Sequence, residues 1–319
     1  MKYDIIEEIK REVIEVERKL KKVVTVEEAG KVKDIISKNN LIITYSYLRK
    51  IPSSILYWTL TTLNIEKHHP TLLDLTSFLT HVAPYRRNYN LLAITSNPNS
   101  LKRLYDIYRL LNINMLVLSE NIPKGVKYPN VVKLNFGSTL FENNLGYAMY
   151  LSSLAIETLP ENVVTRRSSR LYGEVKDMAS IVYSLFDKYR NIIDNIIAKV
   201  VKGEHVAFIA PGYLKDIIDT YLYLIPYDLR DKLHSYGLSV IFEECPQPRT
   251  KLTYVVCRTG VEELSYRYLK FTCNIENVLD LNINVDPISA PIYLLLLMEY
   301  VLRCLNTVSQ NSHNYSQDA

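Results

Sequence analysis

Glycine is scarce in this chain: nine among 319 residues, at positions 30, 125, 137, 146, 173, 203, 212, 237 and 260. With that spacing neither GxGxxG nor GxxxxGKS/T can be written anywhere, which excludes a Rossmann dinucleotide fingerprint and a Walker-type phosphate loop. Cysteine is sparse too. Cys245, Cys257, Cys273 and Cys304 lie far apart with no CxxC pair, so zinc ligation has no support. They are expected as free buried thiols, a disulfide being the alternative in a hyperthermophile. Charge of one sign is missing: the net charge is +4, and no run of five or more basic residues marks a nucleic-acid partner. Long hydrophobic runs are also absent. The most apolar stretch, ISAPIYLLLLMEYVL over 288–302, holds Pro291 and Glu299 and stops at Arg303. It falls short of the roughly 18 residues of a spanning helix, so a buried helix and no membrane partner are expected. The first twenty residues are charged throughout. They lack the apolar core of a signal peptide, and a cytoplasmic location is expected.

What is present is globular composition, 48% hydrophobic and 23% charged, with 25 tyrosines. Ile5, Ile6, Ile9, Val13, Val16 and Leu20 recur at helical spacing. Thr25 followed by Glu28 reads as a capping box for a second helix. From residue 41 the texture alternates. Strand-like runs 41–45, 90–94, 114–118 and 131–134 are separated by helical patterns at 53–63 and 101–111, with a long helix from about 141 to 159. Residues 160–173 are polar and basic and read as a connection. A helix pair over 174–201 follows, then strands at 205–210, 238–242, 253–257 and 278–281, with a helix over 214–233 and the apolar helix 288–302. Alternation of this kind predicts an α/β fold of βαβ units on parallel sheets, and its restart predicts two pseudo-repeated halves. The expected divisions are N-terminal helices 1–39, a first domain 40–160, a second 174–303 and a disordered polar tail 304–319.

Open parallel sheets bind ligands at the carboxyl ends of their strands. In the first half the loops there carry hydroxyls and amides and few carboxylates. The candidate ligand-binding residues are Ser46, Thr95, Ser96, Asn97, Asn99, Ser100, Ser138 and Thr139. Such groups at a helix N-terminus suit an anion; the plainer reading is that Ser96, Asn97 or Asn99 caps the helix after a turn. His68 and His69 stand side by side before Pro70, a poor arrangement for one metal. Neither a metal nor a cofactor is expected. Arg86, Arg87, Arg166, Arg167 and Arg170 are solvated charges, or phosphate contacts from a partner subunit.

The order of these loops resembles the SIS domain, the sugar isomerase module of phosphosugar enzymes. Its hallmark is a strand, a loop S-x-S-G-x-T, and a helix whose N-terminus holds a sugar phosphate; Thr95-Ser96-Asn97-Pro98-Asn99-Ser100 stands where that loop belongs. Residues 40–159 resemble one SIS domain nearly throughout, and 174–303 a second, more divergent copy. The tandem is similar to the isomerase half of glucosamine-6-phosphate synthase and to archaeal bifunctional phosphoglucose/phosphomannose isomerases. The resemblance implies two three-layer α/β/α subdomains with parallel sheets after an N-terminal helical segment, a sugar phosphate or similar anion as ligand, and a homodimer.

The sequence departs from the family at its reactive positions. The glycine of the loop is Pro98 here, which forbids close backbone approach and donates no N–H. Aldose–ketose isomerisation needs a base between C1 and C2 and an acid/base for ring opening. The family takes these from a Glu on the helix after the second domain's first strand, a later His and a C-terminal Lys. Leu224-Ile225-Pro226-Tyr227 lies about where that Glu belongs, and no lysine follows Lys270. The substitutes are Glu243 and Glu244 as base and His234 in acid/base work. Three functions follow: a phosphosugar-binding protein with eroded catalysis, an active aldose–ketose isomerase of a hexose 6-phosphate, or an assembly partner with no ligand. Glutamine amide transfer needs an N-terminal cysteine, and the first here is Cys245.

Overall fold

The fold is that of a computed structural model, which describes all residues except 1, 24, 64–68, 124–129, 160–165, 240–251, 274, 276, 318 and 319. The chain divides into two compact units, Glu12–Met178 and Met1–Arg11 with Ala179–Ala319. The division falls inside the first helix, α1 (Lys2–Val23).

In the unit Glu12–Met178, α2 (Val26–Ile36) begins with the expected capping box. The Thr25 hydroxyl accepts the Glu28 N–H, and the Glu28 carboxylate accepts the Thr25 N–H. Five parallel strands follow: β1 (Leu41–Tyr45), β2 (Thr71–Asp74), β3 (Asn90–Thr95), β4 (Asn114–Ser119) and β5 (Val131–Lys133), in the order β2-β1-β3-β4-β5. The inner strands are apolar on consecutive residues because both faces are covered. Leu41, Ile43, Leu92, Ile94, Leu116 and Leu118 pack on one side against α2, α3 (Lys50–Thr62) and α6 (Leu140–Glu157). Ile42, Leu91, Ala93, Met115 and Val117 pack on the other, under α4 (Leu75–Ser77) and α5 (Pro98–Leu111). This is the expected three-layer sandwich. β2 escapes the sequence reading because its four residues are only half buried.

Residues 166–173, read above as part of a connection, form with 174–176 the helix α7 (Arg166–Lys176), with only Ser168, Leu171 and Val175 buried. So narrow a stripe in a basic segment leaves little periodic signal.

In the other unit α8 (Met178–Val201) leads into a four-stranded parallel sheet in the order β7-β6-β8-β9, from β6 (His205–Ala210), β7 (Leu233–Gly237), β8 (Leu252–Arg258) and β9 (Val278–Asn282). The helix expected over 214–233 ends early. α9 (Gly212–Leu224) stops before Pro226, which cannot donate into a helix interior, and only α10 (Tyr227–Arg230) follows. The next described strand is 233–237, locked in parallel register to β6 with Val206 opposite Leu233; of the strand expected over 238–242, residues 238 and 239 form a turn and 240–242 lie outside the described residues. The final helix extends from Ala290 to Gln317, so the segment expected to be a disordered tail continues the helix; Cys304, Leu305 and Ser309 are buried on it. Its stretch Ala290–Gln310 is long and apolar enough to cross a membrane, yet 72% of its most apolar window is buried inside the fold. Cys257 and Cys304 are buried thiols as expected, whereas Cys273 is disulfide-bonded, contrary to the free thiol expected there.

Candidate functional site

In the first sheet β1 leads to α3 on one face and β3 to α5 on the other, so the chain parts at β1/β3. That is the topological switch point of the 2-1-3-4-5 order, where open α/β sheets take ligands. Two of the candidate residues meet there: the Ser46 and Thr95 hydroxyls are 2.7 Å apart. Thr95 ends β3, is buried, and accepts the Asn97 N–H at 3.1 Å. Asn97 is the N-cap of α5, its side-chain oxygen accepting the Asn99 N–H at 2.9 Å, with Pro98 in the first turn. The capping reading of this loop is therefore met by Asn97. Ser96 supplies its carbonyl to the Asn121 amide at 3.1 Å, which ties the loop after β4 to the loop after β3. Ser100 lies half-buried in the first turn of α5. Ser46, Thr95, Ser96, Asn97, Asn99 and Ser100 thus form one hydroxyl- and amide-rich edge beside the positive end of a helix.

Beneath that edge lies a cluster that neither periodicity nor loop composition reveals. Arg49 closes a turn after β1, its N–H donating to the Ser46 carbonyl at 2.8 Å. Its guanidinium is 3% exposed. Nη1 donates to the Asn144 side-chain oxygen at 2.5 Å, and Nη2 to Glu120 at 2.7 Å. Burial pushes the Glu120 pKa above its ordinary value, and the attraction of Arg49 offsets this only in part. The sequence places Arg49 and Glu120 in the loops that follow β1 and β4, but no pattern in it pairs them with each other or with Asn144 on α6. Asn143 is structural: it accepts the Phe136 N–H and donates to the Gly137 carbonyl.

Ser138 and Thr139, candidates at the start of α6, are otherwise engaged. Both N–H groups donate to Glu142 Oε2, at 2.7 and 2.8 Å, and both hydroxyls reach the same atom at 3.2 and 3.1 Å. An internal carboxylate stands where an outside anion would have to bind. Burial alone would raise the Glu142 pKa, but those amides outweigh it and hold it below its ordinary value.

The second unit repeats the switch point between β6 and β8 and fills it with its own side chains. The Tyr213 hydroxyl lies 3.2 Å from the Thr259 hydroxyl and donates to Glu262 Oε1 at 2.6 Å. Glu262 Oε2 accepts the Thr259 N–H and hydroxyl, each at 2.8 Å. Arg258 is bound by Asp280 at 2.7 Å and by Glu263 at 2.6 Å. His234 is misplaced for acid/base work at this edge. It is the second residue of β7, opposite Ala207, at the amino end of the sheet, where its ring stacks on that of His205 with an N···N distance of 3.2 Å. Its place in a strand, not at a helix end, is what moves it away from the carboxyl edge. Glu243 and Glu244 lie outside the described residues. Among the described residues no group of three or more His, Cys, Asp or Glu side chains could hold a metal.

No protein-family model matches the sequence, and no curated protein sequence matches it. Solved structures do match in fold. The C-terminal domain of glucosamine-fructose-6-phosphate aminotransferase from Francisella tularensis superposes with a TM-score of 0.68 at 13% identity, over 95% of this chain and 94% of that one. A candidate sugar binding protein from Salmonella typhimurium gives 0.72 at 8% identity, over 94% and 99%. Tagatose-6-phosphate ketose/aldose isomerase from Escherichia coli gives 0.60 at 13%, over 96% and 93%. At such identities the likeness is one of fold, and it is the tandem SIS-type fold that the loop order had implied.

Proposed function

We propose that this chain binds a sugar phosphate or a similar anion at the β1/β3 switch point of its first unit, as an isomerase-like protein with eroded catalytic residues. The observation that carries the reading is the Ser46–Thr95 hydroxyl pair, 2.7 Å apart where the chain parts, beside the N-terminus of α5. Unlike α6, whose first amides are held by Glu142, α5 carries no acidic residue in its first turn. A positive helix end without an internal carboxylate favours an external anion. The phosphosugar names of two of the fold neighbours agree with this chemistry. The reading includes a cytoplasmic homodimer with no metal or cofactor. In the competing isomerase reading, Glu243 or Glu244 serves as base, and exchange of both for Gln abolishes turnover while sparing binding.

The test is a thermal-shift panel of fructose 6-phosphate, glucose 6-phosphate, mannose 6-phosphate, glucosamine 6-phosphate and free phosphate. A ligand at 100 times its dissociation constant stabilises by about 2.7 kcal/mol, worth about 2–4 °C per kcal/mol in a unit of this size. At least one hexose phosphate is expected to shift the transition more than free phosphate does. Silence across the panel contradicts the reading and favours an assembly partner.

A further inference from the structure

A buried arginine held only by neighbouring side chains is ordinarily satisfied on every edge, because an unpaired donor on a desolvated charge is costly. Arg49 is not. Its two terminal nitrogens are taken by Asn144 and Glu120, while Nε has no acceptor among the described residues. Both Glu120 oxygens sit on the same nitrogen, Nη2, at 2.6 and 2.7 Å, and Oε1 makes no hydrogen bond among the described residues, so the Nε edge of the guanidinium is left open in the turn whose first residue, Ser46, faces Thr95. Its counter-ion is in the same ring of loops. Glu120 follows β4 directly, and its neighbour Asn121 is bound to the Ser96 carbonyl. Glu120 is itself 8% exposed, and burial disfavours its charge despite Arg49.

We infer that Arg49 is the anion receptor of this site and that Glu120 is its resident counter-ion, displaced from the guanidinium when a phosphate group enters. The inference rests on the binding reading above and adds to it the charge-selective group that receives the phosphate and the side chain it displaces. The fork of a guanidinium matches phosphate oxygens bidentately. A phosphate set on the Nη2–Nε edge would take both nitrogens with two of its oxygens, where Glu120 meets Nη2 alone. No covalent step is involved; one anion exchanges for another on a fixed cation.

Removing the competitor should then strengthen binding. In Glu120→Gln the side chain keeps its shape and an acceptor oxygen for Arg49 but loses the negative charge. Calorimetric titration of the full chain with inorganic phosphate and with glucose 6-phosphate is expected to give about tenfold tighter binding in Glu120→Gln and at least tenfold weaker binding in Arg49→Lys, with neutral glucose unaffected. As a readout that needs only the intact chain to bind, the Arg49 Nε–H resonance of the unsubstituted protein should shift on titration with phosphate; Arg49→Lys serves to assign it. A structural pair behaves differently: Glu120→Gln lowers stability and leaves affinity equal or weaker, and the Nε–H resonance stays in place at saturating phosphate. Either result overturns the inference, while glucose 6-phosphate binding by the unsubstituted chain leaves the underlying site reading standing. Failure of both the unsubstituted chain and Glu120→Gln to bind either probe overturns the two together.

Discussion

Glu142 does at the start of α6 what a bound anion does in other helices of this kind: one oxygen takes two amides and two hydroxyls. Replacing it by Gln should cost about 1–3 kcal/mol, the usual loss for hydrogen bonds to a buried charge, measured by urea unfolding. Because its native pKa is depressed, its contribution is complete above the ordinary carboxylate range and is lost as pH falls through the native value. Glu142→Gln should therefore flatten the decline of stability between about pH 5 and pH 2, and an unchanged acid profile would contradict the assignment. Two glycines guard the same end of the helix. A Cβ on Gly137 would lie 2.2 Å from the Glu142 Cβ, and one on Gly146 2.2 Å from the Phe136 ring. Gly146→Ala should destabilise by about 1–3 kcal/mol, the range for overpacking a filled core, seen as a lower urea midpoint; neutrality would mean that Phe136 moves aside freely.

Among the elements, the strands marked most plainly in the sequence are those buried on both faces, such as Leu91–Ile94 and Val255–Cys257, and the edge strands β5 and β9 were still read from the short apolar pairs Val131–Val132 and Val278–Leu279. β2 and β7 are edge strands in their sheets, and half-buried residues such as His234 and Ser235 carry no comparable run. α7 and the end of the final helix were missed for a related reason, since a helix held by few buried residues looks polar. That helix makes its own prediction: backbone amides of Asn306–Ser309 should exchange slowly with solvent, as helical hydrogen bonds require, and fast exchange there would restore the disordered reading. At the other end of the scale of burial, Asn97 caps α5 in the open. Asn97→Ala should cost about 1 kcal/mol in urea unfolding, and it should weaken anion binding only through the helix end it orders.

For the whole molecule, the repeat was readable because each half restarts the same strand–helix order, and both sheets place their second strand outside the first. The candidate site was partly readable for the same reason. Loops that follow strands fall at one edge, so Ser46 and Thr95 could both be assigned to it, although 49 residues separate them and their contact was not readable. The Arg49–Glu120 contact spans 71 residues and the Tyr213–Glu262 contact 49; both depend on side-chain directions that no periodicity specifies. These contacts also make the two halves unequal: the second switch point is filled by a tyrosine–glutamate pair, and the first is lined by hydroxyls. A ligand is therefore expected in the first unit alone. The most direct test is a calorimetric titration with the hexose phosphate that gives the largest thermal shift, comparing the unsubstituted chain, Thr95→Ala with Ser100→Ala, and Tyr213→Phe. Binding at least tenfold weaker is expected for the first-unit pair, about the worth of one or two lost hydrogen bonds to a charged ligand, with unchanged affinity for Tyr213→Phe. Unchanged affinity in the first-unit pair, or loss of binding in Tyr213→Phe, would contradict a first-unit site.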